Sequence, residues 1–162
     1  MPLIMLPGEV FEQRLRQAVK SSTFMVQEEA QATHAFTSRT ASLERAVEAK
    51  FNFDNGTNVG TVYIDEYAAP YGPFVHNGTR PHVIKPKRKH YLRWAPIAGN
   101  GFLFAKEVHH PGTKADPFLY EALERKRGDV FSIFAKATNT ALTDITGSRW
   151  LGDTVREIKL EL

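Results

Sequence analysis

The spacing of apolar residues changes near residue 47, and this change limits what the chain can fold into. Upstream, apolar and small residues recur at helical intervals from Phe11 onward, which predicts a long amphipathic helix over roughly Glu9 to Thr33. From Val47 to Phe53 the apolar residues alternate with polar ones, as they do in a half-buried strand. The chain is therefore expected to begin with a helix and to continue into β-structure.

Turn residues divide this β-rich part into strands. Asp54-Asn55-Gly56 separates the first strand from a second β-rich run at Val59 to Ile64, which predicts a β-hairpin. Tyr91 to Trp94 and Gly101 to Val108 are typical of two further strands, joined by a turn that contains proline and glycine. We therefore expect a sheet of about four strands.

A long Pro-rich loop and a second helix complete the pattern. Tyr67 to Pro86 contains four prolines and is typical of a loop, although Phe74-Val75-His76 suits a helical turn. Asp116-Pro117 favours a helix start, with Asp116 as a possible cap, and Gly128-Asp129 is a place where that helix can bend or break. These segments together predict an α+β fold, in which a small antiparallel sheet of about four strands packs against two long helices and carries the loop.

The length of 162 residues and the 42% share of hydrophobic residues suit one globular domain. We assign residues 1–146 to that domain and residues 147–162 to a C-terminal extension. The extension is too apolar for a free tail, so we expect it to fold back or to dock on a neighbouring subunit through Trp150, Leu151, Val155, Ile158 and Leu160. Apolar runs are short, and we expect neither a signal peptide nor a membrane anchor.

Positive charge is concentrated in one segment. Residues 80–93 contain no acidic side chain, whereas the rest of the chain has more acidic than basic side chains. This segment is where an acidic partner or a phosphate backbone would be attracted. Its cations are interleaved with His82, His90, Tyr91 and Trp94, which suits nucleic-acid binding, but a solvated hairpin tip has the same composition. The six cations are Arg80, Lys85, Lys87, Arg88, Lys89 and Arg93.

The sequence offers little for catalysis or metal binding. The chain has no cysteine, which excludes disulfides, thiolate zinc sites and iron–sulfur clusters. Five histidines lie in the middle of the chain, but their spacing matches no metal-ligand pattern, and no phosphate-binding loop or nucleophile motif is present. We therefore expect a protein that is not an enzyme and that needs no cofactor and no metal.

Two blocks in the middle of the chain form a specific composite pattern. The first block spans Tyr67 to Lys87 and reads YAAPYGPFVHNGTRPHVIKPK. It is followed by Leu92-Arg93-Trp94 and then by the second block, VHHPGTKADPFL, from Val108 to Leu119. In order and spacing, these blocks resemble those of bacteriophage neck and tail-completion proteins, a family that includes minor tail and head-to-tail joining proteins. A weaker similarity begins at Thr40, where Ala41 stands in place of the family's glycine and Ala46 in place of its serine.

The resemblance implies a structural virion protein of a long-tailed phage. Such a protein would form a homo-oligomeric ring, hexameric or dodecameric, between the head connector or adaptor and the tail tube or tail terminator. It would be assembled in the cytoplasm of the host bacterium and end up in the virion, with no membrane partner. Genomic DNA would pass through its lumen without sequence-specific contacts. The alternative is a basic nucleic-acid-binding protein that uses the segment from Arg80 to Arg93.

Site residues follow from these expectations. The six cations would face the DNA passage or an acidic partner. Subunit or partner contacts in the loop would involve Tyr71, Phe74, Val75, His82, Ile84 and Pro86. A structural role in shaping turns is expected for Gly78, Pro81, Pro111, Gly112, Asp116 and Pro117.

Overall fold

Two long helices, α1 (Pro7–Ala32) and α4 (Phe118–Thr146), pack antiparallel along most of their length. The computed structural model describes residues 6–38, 40–54, 56–96 and 100–146. Ion pairs join both ends of the helix pair: the Arg14 guanidinium lies 2.7 Å from the Asp144 carboxylate, and Arg125 lies 2.7 Å from Glu29. The hydrogen bond from Arg125 holds the pKa of Glu29 below its usual range.

Helix α1 begins at a proline, which suits the first turn because that position needs no amide donor. The Glu9 carboxylate accepts the backbone N–H of Leu6 at 2.9 Å and so satisfies one group that the helix leaves unpaired. The helix buries its small and β-branched residues, while Phe11, Leu15 and Met25 of the predicted apolar face are only half-buried. The buried residues are Ala18, Val19, Ser22, Thr23, Val26 and Ala30.

Helix α4 runs without a break through Gly128. The sequence allowed the helix to bend or break at this residue, but the structure has one continuous helix. Gly128 is exposed, and a Cβ atom there would meet no neighbouring atom. Glycine at this position therefore weakens the helix without interrupting it. None of the helices in the described part of the chain is long and apolar enough to cross a membrane.

The predicted hairpin is confirmed as strands β1 (Val47–Asp54) and β2 (Thr57–Ile64), which pair antiparallel over their full length. A single turn, α2 (Ser42–Arg45), leads into β1. The two strands lie against α1, where the side-chain amides of Gln27 and Gln31 donate to the carbonyl oxygen of Val47 at 2.8 and 3.0 Å. Gly60 in β2 approaches Thr23 so closely that a Cβ atom would overlap the threonine hydroxyl.

The α+β class and the two long helices are confirmed, but the predicted sheet of about four strands is wrong. Among the strands that the structure describes, β1 and β2 are those that pack extensively against α1. The remaining described strands form two separate pairs, β3–β6 and β4–β5. These strands are β3 (His82–Ile84), β4 (Leu92–Trp94), β5 (Leu103–Ala105) and β6 (Val108–His110). Each of these strands has only three residues. Pro81, Pro86 and Pro111 lie within two residues of the ends of β3 and β6, and because proline cannot donate a backbone hydrogen bond, they limit the length of this pair.

The predicted Pro-rich loop contains more regular structure than expected. Helix α3 (Gly72–Asn77) includes the predicted helical turn, and β3 follows it. Gly72 is required where the start of α3 meets the core, because a Cβ atom there would come within 2.5 Å of the Ile64 side chain. The core itself combines Phe118, Val47 and Leu43 with several alanines, and the Phe36 ring packs edge-on against Phe118 at 5.3 Å.

Asp116 has a different role from the helix cap that the sequence suggested. Its buried carboxylate accepts the backbone N–H groups of Ala35 and Phe36, both at 2.7 Å, and so binds the segment that follows α1. Its own N–H donates to the carbonyl of Val75 in α3 at 3.1 Å. Helix α4 begins two residues later, so Asp116 joins three parts of the fold that lie far apart in sequence.

Removing this carboxylate should destabilise the protein strongly. We expect Asp116→Ala to lower the free energy of unfolding by about 3 kcal/mol, because two backbone N–H groups lose a charged acceptor in a partly buried site. Asp116→Asn should cost less, since an amide oxygen still accepts. Urea unfolding measures both, with Asp129→Ala, an exposed carboxylate, as the control. Equal losses for Asp116→Ala and Asp129→Ala would contradict this role.

Candidate functional site

The two blocks that carry the family resemblance lie side by side. Strands β3 and β6 pair His82 with His110 and Ile84 with Val108. The pairing continues at Thr79 and Thr113, whose backbone groups exchange hydrogen bonds of 2.9 and 3.2 Å. We call the paired residues 78–84 and 108–115 the motif ladder. Blocks that are about thirty residues apart in sequence thus form one structural unit.

Two glycines make this close pairing possible. Gly78 and Gly112 have φ angles of +72° and +90°, which other residues rarely adopt. A Cβ atom at Gly78 would lie 2.8 Å from both the Thr113 oxygen and the Ala115 nitrogen, and one at Gly112 would overlap the Thr79 oxygen. Pro81 and Pro111 flank the short strands of the ladder, where the chain enters β3 and leaves β6. The positive φ angles and the close contacts at Gly78 and Gly112 are what the expected turn-shaping role of these two glycines requires.

Between the two halves of the ladder, the chain forms a second pair of strands that we call the ribbon, residues 85–96 and 100–107. Its strands β4 and β5 pair Leu92 with Ala105 and Trp94 with Leu103. None of the six strand residues is buried. Large apolar side chains are exposed on the ribbon, with exposed fractions from 39% to 64%, at Tyr91, Trp94, Phe102, Leu103 and Phe104. A two-stranded ribbon exposed in this way is marginally stable in water, and such patches usually mark interaction sites.

The ribbon also carries most of the predicted cations. A shallow cavity of about 910 Å³ on its surface contains no acidic side chain, and the Arg93 guanidinium lies 3.5 Å from the centre of the Phe102 ring. Cations beside aromatic rings can bind anions and planar groups. The residues that line the cavity are Arg88, Lys89, His90, Tyr91, Arg93, Phe104 and Lys106.

The predicted cations are not equivalent. Lys85 lies 3.5 Å from the Glu107 carboxylate, which also faces His109 at 3.6 Å, so part of the charge of Lys85 is compensated at the base of the ribbon. Among the described residues, no acidic side chain pairs with Arg80, Lys87, Arg88, Lys89 or Arg93. Those five remain available to an external anion.

The predicted loop contacts divide into two groups. Tyr71, Phe74, His82 and Ile84 are exposed and can contact a partner, and Pro86 is half-buried. Val75, in contrast, is half-buried and packs against the hydrophobic core. The predicted C-terminal contacts from Trp150 to Leu160 lie outside the described residues.

The sequence did not identify the second strand of the ribbon as part of this site. Phe102, Phe104 and Lys106 join the cavity only because β5 pairs with the basic strand β4. The sequence signal that could have identified it is the Phe-Leu-Phe run at residues 102–104, which follows the basic segment. In the described ranges, no group of three or more histidine, aspartate or glutamate side chains is placed so that it could hold a metal ion.

Comparison with known proteins identifies no relative. No family model matches the chain, and no curated protein and no solved structure matches it either. The assignment of a function must therefore start from the ladder, the ribbon and the resemblance of the two blocks.

The requirement for glycine in the motif ladder can be tested by substitution. We expect Gly112→Ala to lower the free energy of unfolding by at least about 2 kcal/mol, because it combines a strained φ with overlap against the Thr79 carbonyl. Gly56→Ala is the matched control, since φ there is +77° but no atom lies within 4 Å. Thermal unfolding compares them. If Gly56→Ala costs as much as Gly112→Ala, close pairing does not explain the second glycine.

Proposed function

We propose that this protein is a structural component of the neck of a long-tailed bacteriophage, where it forms a homo-oligomeric ring between the head connector and the tail. The observation that carries the proposal is the pairing of the two resembling blocks in the motif ladder. If the resembling residues were matched only by chance, they would not be expected to lie together in one structural unit. Here both blocks contribute opposite sides of the same ladder, and the residues between them form the ribbon.

The backbone at Ala41 supports the same proposal. Ala41 has a φ angle of +53°, and no other non-glycine residue in the described ranges has a positive φ. It is the position at which the resembling family has glycine, the residue that adopts this conformation at the lowest cost. The weak similarity around Thr40 is therefore consistent with a shared turn, in spite of the different side chain.

Ring formation requires two unlike surfaces on each subunit, one complementary to the other. The ribbon supplies one: it is basic, aromatic and exposed. Outside residues 80–93 the chain is net acidic, so the body of a neighbouring subunit is a suitable electrostatic partner. Tyr71 and Phe74 in α3 add exposed apolar surface at 46% and 59% exposure. In this proposal the ring contacts are the ribbon and the exposed part of the loop.

The unpaired cations have a further role in the proposal. Arg80, Lys87, Arg88, Lys89 and Arg93 would face either an acidic neighbouring ring or the DNA that passes through the lumen. Contacts of this kind are made to phosphates and carry no sequence information. Neck partners would be the connector or adaptor on one side and the tail tube or terminator on the other. The proposal places the protein in the virion, after assembly in the host cytoplasm, and assigns it no catalysis.

A free nucleic-acid-binding protein is the second candidate. It is favoured by the acid-free cavity of the ribbon, where cations and exposed rings are interleaved. Such a protein would bind single strands by stacking bases on the rings and would lose affinity steeply as salt rises. The ring proposal instead uses the same rings for contacts between subunits.

The two candidates differ in the mass of the protein in solution. We expect light scattering to give the mass of a hexamer or dodecamer of 18.3 kDa subunits. The double variant Tyr91→Ser and Phe104→Ser should reduce it to that of a monomer, since it removes exposed rings from the ribbon. Tyr67→Ser is the control: Tyr67 is 99% exposed and lies outside the ribbon, so the oligomer should persist.

A different outcome would favour the second candidate. A wild-type protein that stays monomeric while it binds single-stranded DNA would contradict the ring proposal. Replacing Lys87, Arg88, Lys89 and Arg93 by glutamine would then weaken binding, with a slope of log K against log salt reduced by about 0.7 for each lost contact.

A further inference from the structure

The ribbon has two faces of different chemistry. Successive residues of a strand point to opposite sides, so the register of β4 and β5 sorts their six residues into two groups. Arg93 and Phe104 lie on the face that carries the cavity and its cations. The strand residues on the other face are all uncharged, and we call this side the apolar face. Its residues are Leu92, Trp94, Leu103 and Ala105.

The apolar face is not covered by its own subunit. Trp94 and Leu103 are 39% and 48% exposed, although both side chains are large and apolar. A partner that covers this face must itself be apolar. It must also offer an acceptor, because the indole N–H of Trp94 can only donate a hydrogen bond.

An apolar groove between β2, α1 and α4 has these properties. Its volume is about 480 Å³, and none of the described residues that line it belongs to the ribbon. Leu123 on its α4 side is 47% exposed, because the two strands β1 and β2 lie against α1 and do not extend over this part of α4. The groove is lined mainly by Val19, Val26, Val62, Leu119, Leu123 and Val130.

The groove also contains acceptors that lack a donor. Asn58 Oδ1 and His76 Nε2 are buried and have no hydrogen-bond partner among the described residues. His76 Nδ1 lies 3.2 Å from the Asn77 side-chain oxygen and donates to it, so Nε2 is left as an acceptor. Buried polar atoms normally have a partner, which indicates that a donor approaches when the groove is filled. The indole N–H of Trp94 is such a donor.

The backbone of β2 is open along the same groove. Alternate residues of β2 bond to β1, and the hydrogen bond from the Asp65 N–H to the Ala46 carbonyl sets which ones. The N–H and C=O groups of Gly60 and Val62 therefore point to the outer edge. On the matching edge of β1, the Val47 carbonyl accepts hydrogen bonds from α1. Within the described residues, no backbone hydrogen bond uses the outer edge of β2.

Each of the two hairpins has one uncharged edge. Strand β2 contains no charged residue and no proline, whereas β1 contains Glu48, Lys50 and Asp54. Strand β5 is uncharged as well, whereas β4 contains Arg93. Natural sheets usually protect a free edge with charges or proline, because an unprotected edge pairs with other strands. The edges of β2 and β5 are therefore suited to pair with each other.

We infer that the ribbon of one subunit docks in the groove of the next subunit, with β5 added to the outer edge of β2. The apolar face then continues the helix-facing side of the β1–β2 sheet over the exposed part of α4. It also brings the indole N–H of Trp94 towards the unpaired acceptors. The basic face of the ribbon points away from the groove and stays free for the contacts assigned to it above.

This arrangement joins two unlike surfaces, so the same contact can repeat from subunit to subunit and close a ring. The inference rests on the proposed homo-oligomer and names two surfaces that meet in it. The apolar face and the groove do not meet within one subunit, which leaves both of them for a neighbouring copy.

Two variants of the full-length protein each remove one surface. Trp94→Ser with Leu103→Ser removes the apolar face, and Leu123→Glu places a charge in the groove at an exposed helix position. We expect light scattering to give a monomer for each variant alone. Mixed in equal amounts they should form a dimer, because the first keeps the groove and the second keeps the ribbon. Phe131→Glu is the matched control: Phe131 is 63% exposed on α4 and does not line the groove, so the oligomer should persist.

Amide hydrogen exchange locates the contact in the mixed dimer. In the double serine variant, we expect the N–H groups of Gly60 and Val62 to exchange at least about tenfold more slowly in the mixture than alone. Val59 and Thr61, which bond to β1, should exchange slowly in both samples and report that the fold is intact.

The possible failures are distinguishable. An oligomer that survives Leu123→Glu would leave the proposed ring in place and overturn the inference, because the groove would not be its contact. Folded variants that stay monomeric when mixed, or a mixed dimer without protection at Gly60 and Val62, would also overturn it. A wild-type protein that is monomeric at every concentration would contradict the proposed ring itself, and the inference with it.

Discussion

The buried carboxylate of Asp116 holds together the parts of this fold that are most distant in sequence. It accepts two backbone N–H groups from the segment after α1, and its own N–H bonds to α3. The next residues begin α4 and bring Phe118 into the core against Phe36. Because a buried carboxylate is costly unless its hydrogen bonds are made, this one arrangement fixes where three elements meet.

The motif ladder depends on that anchor. Asp116 directly follows the motif ladder, so fixing its position also helps to fix residues 108–115 against residues 78–84. Gly78 and Gly112 then allow the two backbones to approach more closely than any side chain would permit. The ribbon between the two halves of the ladder is held at its base but exposed along its strands. A stable base that presents an exposed, basic and aromatic extension is well suited to contacts with other subunits.

Local patterns in the sequence predicted the local elements. The helices and the β1–β2 hairpin were predictable because their apolar spacing and turn residues act over a few positions. Pairing between distant segments was not predictable: residues 82–84 belonged to the predicted loop, and nothing in the sequence indicated that they would form β3 and pair with β6. Asp116 was assigned to a helix cap because its true partners are about eighty residues away. The basic strand of the site was visible in the sequence, whereas Phe104 and Lys106 joined it only through folding.

The most direct test of the central claim is negative-stain electron microscopy of the purified full-length protein. The account predicts uniform closed rings with a central channel, of a width that DNA can pass. Particles of one or two subunits, without rings even at high protein concentration, would contradict it.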